Sequence, residues 1–186
     1  MKGNIFVFDV ESIGVLGEGF AVGWAVLSLP AGENIETNIE NCDPMHALSS
    51  DLTDPRADWA WLAQNCFPGM PPPNRRAPCD VRDAFWASWQ KWHRHGAVLA
   101  HDNGSTVDLR FLTDGIRDDP DRLASPGMYP IIDIASVLWA TGKSSYDNRA
   151  RRPDERPQHN PLADALFSAR NLAEATKPGR TRRRKR

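Results

Sequence analysis

Long apolar runs are absent from this 186-residue sequence. The longest, around residues 5–10 and 131–138, fall far short of the roughly 20 residues that cross a bilayer as a helix, so no membrane span is expected. The opening MKGNIFVFDVE runs straight into a strand pattern with an acidic end, which a cleavable secretory signal does not do, and a cytoplasmic protein is the expectation. Cysteine is scarce as well. Cys42, Cys66 and Cys79 form no C-x-x-C pair and have no histidine at zinc-finger spacing, which excludes a disulfide framework and a structural zinc site and fits a reducing compartment. No internal repeat is visible. Gly17, Gly19 and Gly23 are spaced wrongly for a dinucleotide fingerprint and lead into a strand instead of a helix. Asn103-Gly104-Ser105 spells a glycosylation sequon that has no secretory context.

Net charge is also small, at −1, but only because two unlike parts cancel. The end of the chain carries seven positive residues and no acid (Lys177, Arg180, Arg182, Arg183, Arg184, Lys185, Arg186), which leaves residues 1–176 at −8. An acidic body is a poor passive binder of phosphate backbones, unless bound divalent cations invert the local electrostatics. A hydrophobic content of 40% over this length supplies one substantial core and not two. The expectation is a single domain over 1–176 followed by a basic tail, 177–186, that has nothing to bury and is disordered.

What is present alternates between strand and helix patterns. IFVFDVE is apolar on both pleat faces before it reaches its acids, as in a strand covered on both sides. Two further alternating segments, within residues 12–30 and 33–43, complete three strands in meander order. Tryptophan-rich segments 58–67 and 81–95 pattern as helices, separated by PGMPPPNRRAP, which proline is expected to keep out of any regular element. A short strand at 97–100 leads through HDNGST into a helix over 107–116. YPIIDIASVLWATG reads as a brief extended segment turning into a helix capped by Asp133. Residues 143–158 are polar and aperiodic and predict a mobile loop, and PLADALFSARNLAEAT predicts a last helix with proline in its first turn.

Three acidic clusters carry the chemistry. Asp9 and Glu11 end a buried strand one residue apart, and period two puts both carboxylates on one side of the sheet. Like charges so placed repel unless cations intervene, although a bare D-x-E is also common as a solvated pair. His159 precedes the last helix by two residues and Asp164 follows within its first turns, pointing toward the apolar face near Leu162 and Leu166. Asp108 opens the helix after the short strand, anchored by Leu109, Phe111 and Leu112. Each acid, taken alone, also suits a helix N-terminus. His101 beside Asp102 reads as a satisfied structural histidine.

Asp9-Val10-Glu11-Ser12-Ile13-Gly14 resembles the first motif of the DEDDh family of 3′-to-5′ exonucleases, commonly D-x-E-T-x-G, with Ser12 in place of threonine. Asn103 to Asp108 resembles the second motif at the longer spacing familiar from the small stand-alone exoribonuclease branch, with Val107 where an aromatic is commoner. His159 to Asp164 resembles the third, histidine and aspartate five apart. The motifs stand in family order and the resemblance spans residues 4–175.

The resemblance implies an α/β, ribonuclease H-like fold: a mixed sheet of about five strands, the first three antiparallel, flanked by helices. It implies that Asp9, Glu11, Asp108 and Asp164 bind two Mg²⁺ or Mn²⁺ ions, with His159 as general base where other families use tyrosine. It further implies that Ser12, Ile13 and Gly14 hold the terminal nucleotide, that Asn103 orders the site, that the partner is a single-stranded RNA or DNA 3′ end with the exoribonuclease activity favoured, and that two chains pair as a homodimer. Arg149, Arg151, Arg152 and Arg156 either touch substrate phosphates or form a solvated loop. Trp59, Trp61, Trp86, Trp89 and Trp92 are read as core, with base stacking open for one or two. A non-catalytic binding module and a structure-specific endonuclease on the same scaffold are the competing functions.

Overall fold

A computed structural model describes residues 3–47, 55–102, 106–124, 127–144 and 150–177. Five strands, β1 (Gly3–Ser12), β2 (Gly19–Leu29), β3 (Glu33–Asn41), β4 (Val98–His101) and β5 (Ile131–Asp133), form one sheet in the order β3-β2-β1-β4-β5. The first three are an antiparallel meander, and β4 and β5 add in parallel to the free side of β1. The antiparallel meander is the one the strand pattern predicts, and the mixed five-stranded sheet is the one the motif resemblance implies.

Helices cover both faces, which is why β1 and β2 read as continuous apolar runs. On one face Phe6, Phe8 and Val10 of β1 join Trp24 and Val26 of β2 against α2 (Pro78–Arg94) and α3 (Thr106–Asp118). On the other, Ile5, Val7, Ala25 and Leu27 meet α4 (Ile134–Ala140) and α5 (Pro161–Thr176). Period two therefore carries Asp9 and Glu11 out of the file that faces α5. Trp86 and Trp89 are fully buried on the first face, the core role expected of them, and Phe6 meets Trp89 edge-on at 5.8 Å between centroids. No helix among the described residues is long and apolar enough to cross a membrane.

Two expectations are corrected. The proline-rich stretch 68–78 is not wholly irregular: Phe67–Gly69 forms a single 3₁₀ turn after α1 (Pro55–Asn65), and Pro78 opens α2. Proline lacks only an N–H that a first-turn residue does not use, so it is welcome there. Nor is the described part of 143–158 loose, because Pro153–Glu155 forms a 3₁₀ turn whose Glu155 is 2% exposed. Arg170 of α5 binds that carboxylate through Nε at 2.6 Å and Nη2 at 2.7 Å. One buried ion pair anchors the segment, and it leaves no periodicity to read. Asp133 caps α4 as expected, accepting from the Ala135 N–H at 3.0 Å. Beyond Lys177 the expected basic tail lies outside the described residues.

Candidate active site

β4 stops at His101, the partner of Phe8, so the edge of β1 is open beyond that residue. Asp108, in the first turn of α3, fills the gap: its Oδ1 accepts from the Val10 N–H at 3.1 Å. Its Oδ2 lies 3.5 Å from His101 Nδ1, and both residues are 3% exposed. A backbone bond that β4 does not make thus fixes one acid against the strand carrying two others, and His101 supports it from behind.

Asp164 arrives on α5. Asn160 caps this helix, its Oδ1 accepting from Ala163 N–H at 3.0 Å, while its Nδ2 donates to the Gly69 carbonyl at 2.7 Å. The helix start lies directly on the sheet at Gly23, which sits opposite Asp9 in the ladder. A Cβ on Gly23 would stand 2.1 Å from Leu162 N and 2.3 Å from the Pro161 carbonyl carbon. Only a residue without a side chain admits this approach, and the approach is what brings Asp164 to Asp9.

His159 directly follows the stretch 143–158 that was expected to be mobile. Its backbone is instead held, with φ at +62° and its N–H donating to Asp164 Oδ2 at 2.8 Å. The left-handed conformation costs a residue with a side chain about 1–2 kcal/mol, which the carboxylate bond and the capped helix offset. The imidazole packs edge-on against Trp61, centroids 4.6 Å apart.

Asp9, Glu11, Asp108, His159 and Asp164 line one cavity of about 260 Å³, together with Asp102, Arg151 and Gln158. Ligand atoms of Glu11, His159 and Asp164 all lie within 4.8 Å of one another. Burial, then repulsion from Asp164, Asp108, Glu11 and Asp102, pushes the Asp9 carboxyl well above its usual range. Burial and then Asp164 and Asp108 do the same to Glu11. Burial also raises Asp108 and Asp164, opposed by His101 at the first and by Arg151 at the second. With Asp9 and Glu11 raised by their acidic neighbours, the set carries an excess of negative charge, and an all-oxygen set of this kind fits a hard divalent cation. Burial lowers the His159 imidazole below its ordinary value, with Asp164 opposing, which favours its neutral form.

A second cavity of about 330 Å³ adjoins the first across Val10, Glu11 and Val107 and is lined by Ser12, Gly14, Val15, Asp58, Trp61 and Leu62. Ser12 and Gly14 are among its lining residues. Ser12 Oγ donates to the Gly14 carbonyl at 2.6 Å, in a turn that needs glycine because φ at Gly14 is +69°. Ile13 does not line this cavity; it is 5% exposed and packs in the core with Val10 and Phe111, and the apolar walls come from Val10, Val15, Trp61, Leu62 and Val107. Asn103 and Arg149 lie outside the described residues. Arg152 and Arg156 are exposed and line neither of these cavities, whereas Arg151 lines the first.

Sequence reasoning missed Asp102, half-buried beside Asp9, whose signal was its place directly after a buried strand. It did not single out Trp61 from the other tryptophans; Trp61 is 45% exposed while Trp86 and Trp89 are buried.

Sheet order and helical cover define an α/β fold, a mixed five-stranded sheet flanked by helices, that solved exonuclease I structures share. Neither a family model nor a curated protein sequence matches the chain. Solved structures do. The zinc-bound E. coli ExoI–ssDNA complex superposes with a TM-score of 0.60 at 12% identity over 95% of this chain and 41% of that one. Exonuclease I from Methylocaldum szegediense, described as moderately thermophilic, gives 0.56 at 14% over 95% and 41%. E. coli exonuclease I in complex with a dT13 oligonucleotide gives 0.55 at 13% over 94% and 40%. At such identity the likeness is one of fold, and the chain spans about two fifths of the length of these proteins.

Proposed function

We propose that this chain is a divalent-metal-dependent nuclease that removes nucleotides one at a time from the 3′ end of a single strand. The observation that carries the reading is the convergence of Asp9, Glu11, Asp108, His159 and Asp164, drawn from distant parts of the sequence, on one cavity. The fold it occurs in, shared with exonuclease I structures that hold single-stranded DNA, supports the substrate class.

In this reading Asp9, Glu11, Asp108 and Asp164 hold Mg²⁺ or Mn²⁺, two ions by the motif resemblance. When bound, such ions neutralise the scissile phosphate and make an attacking water more acidic. The residues of the chain do the rest. His159, half-buried and so biased toward its neutral form, accepts the proton of the attacking water, and Asp164 Oδ2 holds its backbone in place. His101 and the Val10 N–H fix Asp108 so that it does not turn away from the strand. The second cavity takes the terminal nucleotide, with Trp61 beneath its base and the Ser12–Gly14 turn against its sugar. The scissile phosphate then lies over Glu11, which both cavities share.

The test is a 5′-labelled single strand, as DNA and as RNA of one sequence, incubated with Mg²⁺. Stepwise shortening from the 3′ end with nucleoside 5′-monophosphate release is expected, and is lost in Asp9→Asn and Asp164→Asn. DNA is the first substrate to offer, given the strands in the related structures, and RNA the second, given the second motif's spacing. Internal cuts point to an endonuclease; no product from either strand leaves a binding module.

A further inference from the structure

One cation already lies in the acidic cavity. Arg151 Nη1 forms an ion pair with Asp164 Oδ1, while Asp164 Oδ2 is engaged by the His159 N–H. The guanidinium is built in place. It lies over the Phe167 ring at 4.4 Å, with Arg170 over the same ring at 5.2 Å, and Nη1 also donates to the Glu155 carbonyl at 3.0 Å. Glu155 is in turn held by Arg170 and by the Arg152 N–H at 2.8 Å. Arg151 also reaches a second acid, since its charge lowers the otherwise raised carboxyl of Asp102.

Resting on the function proposed above, we infer that Arg151 is an internal counter-cation that competes with the divalent metal for Asp164 and, once displaced, binds a substrate phosphate. Three observations carry this. Arg151 lines the same cavity as Asp9, Glu11, Asp108 and Asp164, so an ion bound there and the guanidinium draw on one carboxylate. Two cations on one oxygen repel, and the more mobile of them, a side chain 20% exposed on a long stem, gives way. Its resting place on Phe167 keeps the planar fork at the cavity wall after displacement, where phosphate oxygens are the acceptors that match it. Lysine at this position would supply the charge without the stacking or the fork.

The consequence is a linkage of defined sign: Arg151 weakens metal binding and strengthens substrate binding. A merely structural arginine, holding the 150–158 segment onto α5, would do the opposite to metal, since its loss would loosen Asp164.

The experiment titrates Mn²⁺ alone into the full chain by calorimetry, for wild type and Arg151→Gln, and then measures KM and kcat on a single strand at saturating Mn²⁺. Arg151→Gln is expected to bind Mn²⁺ about tenfold more tightly, within the usual range for coupled sites, and to raise KM about tenfold with kcat within about threefold of wild type. Arg151→Lys should fall between the two in both readouts. If the glutamine variant does not fold, Arg151→Met keeps the stem over Phe167 and takes its place. Equal or weaker Mn²⁺ binding in the folded neutral variant overturns the competition, and an unchanged KM overturns the phosphate role. Absence of Mn²⁺ uptake by wild type and variant alike overturns the parent reading of the site and this inference with it.

Discussion

Gly23→Ala puts one methyl group where α5 meets the sheet. The new Cβ would lie 2.1 Å from Leu162 N and 2.4 Å from Leu162 Cα, both backbone atoms that no rotamer change can move. Ordinary contact needs about 3.5 Å, so the first turn of α5 must retreat by about 1.5 Å, and Asp164 retreats with it. Overpacking of this kind costs about 1–3 kcal/mol, or a Tm lower by roughly 2–12 °C in a chain of this size. Displacing one catalytic group by about 1 Å costs about 10²-fold in rate. The expected result at 20 °C, with the fold verified by circular dichroism, is a folded protein about 100-fold less active on a single strand. A variant with wild-type Tm and rate would refute the argument that contact at Gly23 positions Asp164.

Further expectations concern charge, the base and the nucleotide pocket. Asp9, Glu11, Asp108 and Asp164 hold protons more tightly folded than unfolded, so the stability they contribute is complete in acid and is lost as pH rises through their raised values. The metal-free Tm should therefore fall as pH rises above the ordinary carboxylate range, Mg²⁺ should restore it more at higher pH, and a Mg²⁺ effect independent of pH would contradict this. His159→Ala should lower kcat about 10²- to 10⁴-fold while leaving Mn²⁺ affinity within about threefold; a large loss of affinity would make His159 a metal ligand instead. Because burial lowers His159, the acid limb of the kcat profile should lie below the ordinary histidine value, and a limb above it would remove the neutral-imidazole argument. Trp61→Ala should weaken single-strand binding by about 1–3 kcal/mol, read from fluorescence anisotropy with a labelled strand, and unchanged affinity would exclude stacking there.

The strands, the two-sided cover and the order of the acids were legible because each leaves a short-range mark. Apolar runs on β1 and β2 announce burial on both faces, and Asp9 and Glu11 share a side by period alone. That Asp108 reaches β1 was not legible, because it depends on β4 ending opposite Phe8, a register no local pattern records. Ile13 was placed at the nucleotide by motif and lies in the core by geometry, and motifs align backbones without fixing where a side chain packs. Gly23, set aside as part of a failed dinucleotide pattern, turned out to be the contact that admits α5. Glu155 hid in a polar, aperiodic stretch because an ion-pair anchor has no period, and nothing local set Arg151 apart from the arginines beside it.

The claim beneath all of this is that Asp9, Glu11, Asp108 and Asp164 form a single divalent-cation site. Anomalous diffraction at the manganese edge from Mn²⁺-soaked crystals tests it most directly. The account predicts density within bonding distance of these carboxylates, and its loss in crystals of Asp9→Asn. Manganese bound elsewhere on the chain, or none at all, would contradict it.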